Sequence, residues 1–209
     1  MKYIVKGGEP QELIDFRAAA TSDWTPSYGG LTRIAKNAIK ESLMKEQGYI
    51  CCYCERRIVD ADSHIEHFKP QSDPAVDPLD FSNMLCSCQK NLIKGSDRHC
   101  GNLKGGWFDE YLLVSPLDSA CENKFAYKGD GTIYPIEGDI AAKTTIEKLG
   151  LDINKLNNLR KLAIEPFLDD GLSKEEFKQF VEGYLQMDSN GKFNPFPSTI
   201  EYLFLELIA

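Results

Sequence analysis

No stretch of this 209-residue chain approaches the ~20 consecutive apolar residues that a membrane-spanning helix requires, and its first residues form no apolar signal segment. No membrane association is expected, and the cytoplasm is the expected compartment. Internal repeats and low-complexity tracts are also missing, which argues against a solenoid or a disordered linker. Nor is there a basic excess. Lys and Arg number 24 against 32 Asp and Glu, for a net charge of −8 and a pI near 5.0. Phosphate neutralisation supplies most nonspecific affinity for nucleic acid, so a protein that held nucleic acid unaided would be more basic. Histidine is scarce, with three in the whole chain.

What is present is concentrated. With 42% hydrophobic and 11% aromatic residues, the chain can bury a real core as one domain, or one domain with an appendage. All three histidines and six of the seven cysteines fall between residues 51 and 100. In a reducing compartment such clustered cysteines are metal ligands or reactive thiols more often than disulfides. Residues 88–107 carry Lys90, Lys94, Arg98 and Lys104 against Asp97 alone, whereas residues 161–209 carry nine acidic and four basic side chains. The positive island therefore coincides with the Cys/His region.

Residues 9–20 predict a short helix with Pro10 in its first turn, and residues 31–47 a stronger one ended by Gly48. Residues 49–107 read as irregular, organised by metal rather than by a large core. Residues 109–137 read as β, with "EYLLVSP" followed by a hairpin that turns at Lys128-Gly129-Asp130-Gly131. Asp139 is placed to cap a helix that stops at Gly150, and Asp152 another that runs toward Pro166. Ser173 with Glu176 forms a capping box ahead of Phe177, Phe180, Val181, Tyr184 and Leu185, whose helical spacing marks core. The expected fold is α+β and mainly helical: an N-terminal helical arm over 1–48, a zinc-stapled core with a β-hairpin over 49–137, and a C-terminal helical region over 138–209.

Cys51-x-x-Cys54 has the knuckle spacing that lets two thiolates reach one tetrahedral zinc. The same spacing also serves redox pairs, but a thioredoxin-type motif opens a helix after a strand and lacks the further cysteines seen here. Cys88 and Cys100 supply the favoured second pair, with Cys86-x-Cys88 as a rival; Cys52 and Cys86 read as small buried hydrophobes and Cys121 as unrelated. In "SHIEHFKPQS", residues 63–72, two histidines and a glutamate fall within four positions. His64 lies two residues before Glu66, so on a strand the two share a face.

The run "IEHFKP", an asparagine in "FSNMLCSC", and then "CGNLKGG" together resemble the HNH nuclease motif, a β-hairpin and helix gripping one divalent metal. Glu66-His67 matches its acidic-histidine step, Asn83 its middle asparagine, and Asn102 with Lys104 its end. Over roughly residues 1–165, "GGEPQEL", "EQGYICCYCE", "HIEHFKP", "HCGNLKGG" and "SPL…GDGTIYP" resemble the retron and Septu-type HNH proteins. That resemblance implies a ββα-metal core, cleavage of nucleic acid with DNA expected ahead of RNA, and a place in anti-phage defence beside an ABC/SMC-like ATPase. His67 would be the general base, its pKa lying near operating pH. Mg²⁺ or Mn²⁺ would act as Lewis acid on hard oxygen ligands, Glu66 and Asn102, with His64 as a further ligand or a phosphate contact. Asn83 would orient the His67 ring, and Lys104, Arg98 and Lys69 would meet phosphate oxygens. His99, beside Cys100, would serve the zinc or the substrate. The net charge of −8 suggests that the partner supplies basic surface. Two other classes are a zinc-stapled adaptor without catalysis and a cysteine redox enzyme.

Overall fold

The computed structural model describes residues 1–168 and 171–208, and among them the fold is α+β, with seven α-helices and two small antiparallel sheets. Helix α1 (Gln11–Ala18) opens on Pro10, which leads into the first turn without a side-chain cap. Helix α2 (Arg33–Glu46) starts where Thr32 accepts a hydrogen bond from the Ala35 amide at 3.1 Å. Its face of Ala35, Ile39, Leu43 and Met44 is buried in the core. The chain leaves α2 through Gly48, at φ +57°, where a Cβ would overlap the Phe193 ring.

Strand β1 (Ser63–His67) pairs antiparallel with β2 (Met84–Cys88), setting His64 opposite Ser87 and Glu66 opposite Leu85. Buried Gln47 fixes this sheet to α2. Its amide donates to the Ile50 and Cys86 carbonyls at 2.9 and 2.8 Å, and its carbonyl accepts from the Cys86 amide at 2.6 Å. Helix α3 (Gly101–Lys104) follows the basic loop. Strands β3 (Phe125–Tyr127) and β4 (Ile133–Pro135) form the expected hairpin, in which the Lys128 amide meets the Thr132 carbonyl at 3.0 Å. A Cβ on Gly131 would overlap the Asn157 carbonyl, so glycine is required at that turn.

Helices α4 (Ile140–Leu149) and α5 (Asn154–Ile164) complete the main core, which runs without interruption from Met1 to Leu156. Asp139 caps α4 through the Ala142 amide at 2.7 Å, and Gly150 closes it in the left-handed conformation. Arg160 is almost fully buried because its guanidinium is satisfied by the Gly131 and Leu151 carbonyls at 3.2 and 2.8 Å. A second apolar cluster gathers Ile164, Phe167, Val181, Ile200, Phe204 and Ile208, using α6 (Lys174–Leu185) and α7 (Pro197–Phe204). The Ser173–Glu176 capping box opens α6. Its Phe180 stacks on Phe167 at 4.6 Å although it stays partly exposed.

Two local expectations differ from the structure. "EYLLVSP" forms turns rather than a strand, because the Asp109 carboxylate captures the Tyr111 and Leu112 amides at 2.9 and 3.0 Å. Asp152 is not the cap of α5. That position falls to Ile153, and the Asp152 carboxylate instead holds the Asn157 side chain at 2.9 Å. Helix α7 lies in the expected C-terminal helical region, although no side chain caps its start. No helix among the described residues is long and apolar enough to cross a membrane.

Candidate active site and metal centre

Four buried sulfurs, from Cys51, Cys54, Cys88 and Cys100, lie within 4.8 Å of one another, the one such group of possible metal ligands among the described residues. A Zn–S bond of ~2.3 Å separates the sulfurs of a tetrahedron by about 3.8 Å. Cys54 Sγ and Cys88 Sγ are 3.8 Å apart. Burial opposes ionisation of Cys51, yet donation from Cys100, Cys52 and Cys54 holds it well below its usual range. Hydrogen bonding from Cys100 holds Cys88 down to about 6. Burial pushes Cys54 and Cys100 up. A bare cluster of this kind keeps two thiols protonated, and a divalent cation is what lets all four ionise together. The donor set therefore fits zinc.

Fully buried His99 lies beside the group and is not a member of it. Its Nδ1 is 3.1 Å from Cys100 Sγ and 3.7 Å from Cys88 Sγ, within hydrogen-bonding reach of both sulfurs. The rival ligand Cys86 is not a member of the group, and burial pushes it up to about 12, as it does remote Cys121.

The knuckle also delivers Tyr53, a fully buried residue between the first two cysteines, whose hydroxyl donates to Glu66 Oε1 at 3.2 Å. Burial, then the Glu66 charge, keeps that phenol protonated and so a donor. Strand alternation puts His64 and Glu66 on one face, with Nε2 and Oε2 3.7 Å apart. Gly101 sits directly against them. A Cβ there would overlap the Glu66 carboxylate and lie 3.1 Å from His64 Nε2.

His67 is 6% exposed and held from three sides. Nε2 lies 2.9 Å from the Pro78 carbonyl and Nδ1 3.0 Å from the Gln71 amide nitrogen, while the Tyr28 ring meets the imidazole edge-on at 4.7 Å. A carbonyl can only accept and an amide nitrogen only donate, so the proton belongs on Nε2 and the free lone pair on Nδ1. Burial lowers the His67 pKa, so the ring is neutral at neutral pH. That is the state a general base needs.

Comparison with known proteins found no matching family model. Curated relatives were found. The chain is 30% identical over 171 residues to "Retron Vc95 putative HNH endonuclease" of Vibrio cholerae serotype O1 biovar El Tor, covering 78% of this chain and 76% of the relative. It is 29% identical over 208 residues to "Retron Ec83 putative HNH endonuclease" of Escherichia coli, covering 80% of each. The chain belongs to the retron HNH endonucleases.

In this endonuclease the residues that carried the resemblance are distributed differently from the expectation. Glu66 and His64 come together, but Asn102 does not join them: its amide donates to the Gln89 carbonyl at 2.6 Å, and Gly101 abuts the carboxylate instead. One position along a helix turns a side chain by about 100°, which is why adjacent residues do not substitute for each other. Asn83 does not touch the His67 ring. Its side chain brackets the Lys69 backbone, accepting from N at 2.8 Å and donating to O at 2.9 Å, and so fixes the exit of β1. Lys104 is 3% exposed, with its ammonium 3.0 Å from both Glu66 Oε1 and the His67 carbonyl, and so is turned inward rather than toward substrate. Arg98 and Lys69 are exposed.

Tyr53, Gln71, Tyr28 and Gly101 escaped the sequence reading. Only the glycine carried a signal, since it directly follows a cysteine where a small residue must clear another element. Gly101→Ala is expected to lower nucleic-acid cleavage by about tenfold or more, as when a ligand's supporting shell is disturbed. Cleavage rates beside circular dichroism check this, and a fully active, folded variant would contradict the crowding at Glu66.

Proposed function

We propose that this endonuclease hydrolyses phosphodiester bonds with one Mg²⁺ or Mn²⁺ held by Glu66 and His64, with His67 as general base. Strands β1 and β2 with α3 would form the ββα core of that site. The observation that carries the reading is the neutral, tautomer-fixed His67 beside the His64–Glu66 pair. Two protein donors suffice for such a cation, which keeps several waters and takes the rest of its shell from substrate oxygens. When bound, the metal supplies Lewis-acid stabilisation of charge on the phosphate and leaving oxygen. Tyr53 and Lys104 hold the Glu66 carboxylate in place, and Lys104 also grips the β1 carbonyl of His67. The Gln71 amide, on an exposed residue, yields Nδ1 to the attacking water, and His67 takes the proton there.

DNA is the proposed substrate, and anti-phage defence beside an ABC/SMC-like ATPase the proposed setting. The resemblance along residues 1–165 and the retron names of the relatives support that setting. The test is cleavage of plasmid DNA and of RNA by the purified chain, with and without the co-expressed ATPase, against Mn²⁺ concentration. Glu66→Ala and His64→Ala are expected to raise the half-saturating Mn²⁺ by about 10–100-fold and to recover partly at high Mn²⁺. An unchanged Mn²⁺ requirement in both variants would remove them as ligands.

A further inference from the structure

Between α2 and β1 runs an open groove of about 480 Å³ that the catalytic reading leaves unused, although His64 and Tyr28 are among the residues that line it. Arg33, Lys36, Lys40 and Lys90 line it, with Asp60 as the one carboxylate. In a chain of net charge −8 this is a local reversal of sign. Lys40 neutralises Asp60 directly, at 2.8 Å from Oδ1, and that hydrogen bond holds the Asp60 carboxyl below its usual range. Arg33, Lys36 and Lys90 have no ion-pair partner among the described residues. Arg33 and Lys90 are exposed. Lys36 lies over the Tyr28 ring, 5.6 Å from its centroid. The same ring packs at a right angle on His67, 4.7 Å between centroids, so one residue borders both the groove and the general base.

Three cations without carboxylate partners on one groove give it a local positive field that attracts a polyanion. Arg33 and Lys36 are three apart on α2 and Lys90 lies just past β2, so cations from two elements border the same groove. We propose that this groove binds the sugar–phosphate backbone of the DNA strand and feeds it to His64, Glu66 and His67, a role for Arg33, Lys36 and Lys90 that rests on the nuclease reading above. The groove reconciles an acidic protein with a polyanionic substrate: attraction is confined to the one strip that leads into the site.

Fluorescence anisotropy with a labelled single strand and a labelled duplex, without added divalent cation and over a range of salt, tests the groove. For the Arg33→Ala, Lys36→Ala double variant we expect Kd to rise roughly tenfold at low salt, with the slope of log K against log salt reduced by about 1 per residue removed. A control pair on α5, Lys155→Ala with Lys161→Ala, makes the same change in net charge and is expected to leave both quantities at the wild-type value. Equal losses in the two pairs would mean that net charge alone acts, and no loss in the groove pair would mean that the strand runs elsewhere; either overturns the proposal. Hydrolysis of bis(p-nitrophenyl) phosphate by the wild-type chain with Mn²⁺ judges the nuclease reading separately, so failure there leaves the binding result to stand or fall alone.

Discussion

His67→Ala is expected to cut the rate of DNA cleavage by about 10²–10⁴-fold, the usual worth of a positioned general base. That corresponds to roughly 3–5 kcal/mol of barrier at ~1.4 kcal/mol per decade. The loss is chemical rather than structural, because Tyr53, Lys104 and Gly101 keep Glu66 where it is without help from the imidazole. Raising Mn²⁺ is therefore expected to restore His67→Ala hardly at all, in contrast to Glu66→Ala and His64→Ala. A conservative His67→Asn variant keeps a polar group near the Pro78 carbonyl but offers no basic lone pair, and it is expected to be as inactive. The measurement is single-turnover cleavage against Mn²⁺ concentration, with melting curves confirming the fold. Full activity in His67→Ala would overturn the nuclease assignment of this site, and Mn²⁺ rescue of His67→Ala alone would exchange the roles of base and ligand.

Removing one of the four clustered sulfurs, which fit zinc, is expected to cost more than activity. Structural zinc contributes about 10–16 kcal/mol to small zinc-finger peptides, comparable to or above the whole stability of an ordinary domain. Here Cys51, Cys54, Cys88 and Cys100 join the knuckle at 51–54 to the end of β2 and to the start of α3, in a part of the core where a buried metal would add to the packing. Cys54→Ser is expected to reduce soluble yield sharply, to abolish stoichiometric zinc, and to lower the melting temperature of whatever folds. Because Tyr53 sits inside the knuckle, the same change releases its hydroxyl from Glu66, so cleavage falls even in the folded fraction. Elemental analysis of the wild-type chain is expected to return one zinc per molecule. Active, purified protein without zinc would contradict the assignment.

Much of the local structure was already legible in the residues themselves. Helix α2 lies within the span 31–47 that its sequence marks, just before Gly48. Asp139 with Gly150, the Ser173–Glu176 box, the turn at 128–131 and the CxxC knuckle all appear where their spacing puts them. Each depends on groups within about one turn of chain, where backbone geometry alone sets the distance. The pairing of His64 with Glu66 on one strand face is of the same kind.

Other features were decided by tertiary packing alone. Cys100 rather than Cys86 completes the sulfur set because the basic loop brings it back to the end of β2, and no local rule specifies how the eleven residues between Cys88 and Cys100 return. Gly101 and not Asn102 faces Glu66 because the rotation of α3 is set by its docking against β1. Lys104 points inward because a carboxylate and a strand carbonyl wait there, although its sequence neighbours are cations in solvent. The groove joins α2 to β1 across sixteen residues of intervening chain. Its cations look like an ordinary solvated helix face until the strand carrying His64 is laid beside them, since charge density depends on distance in space and periodicity reports only distance along the chain.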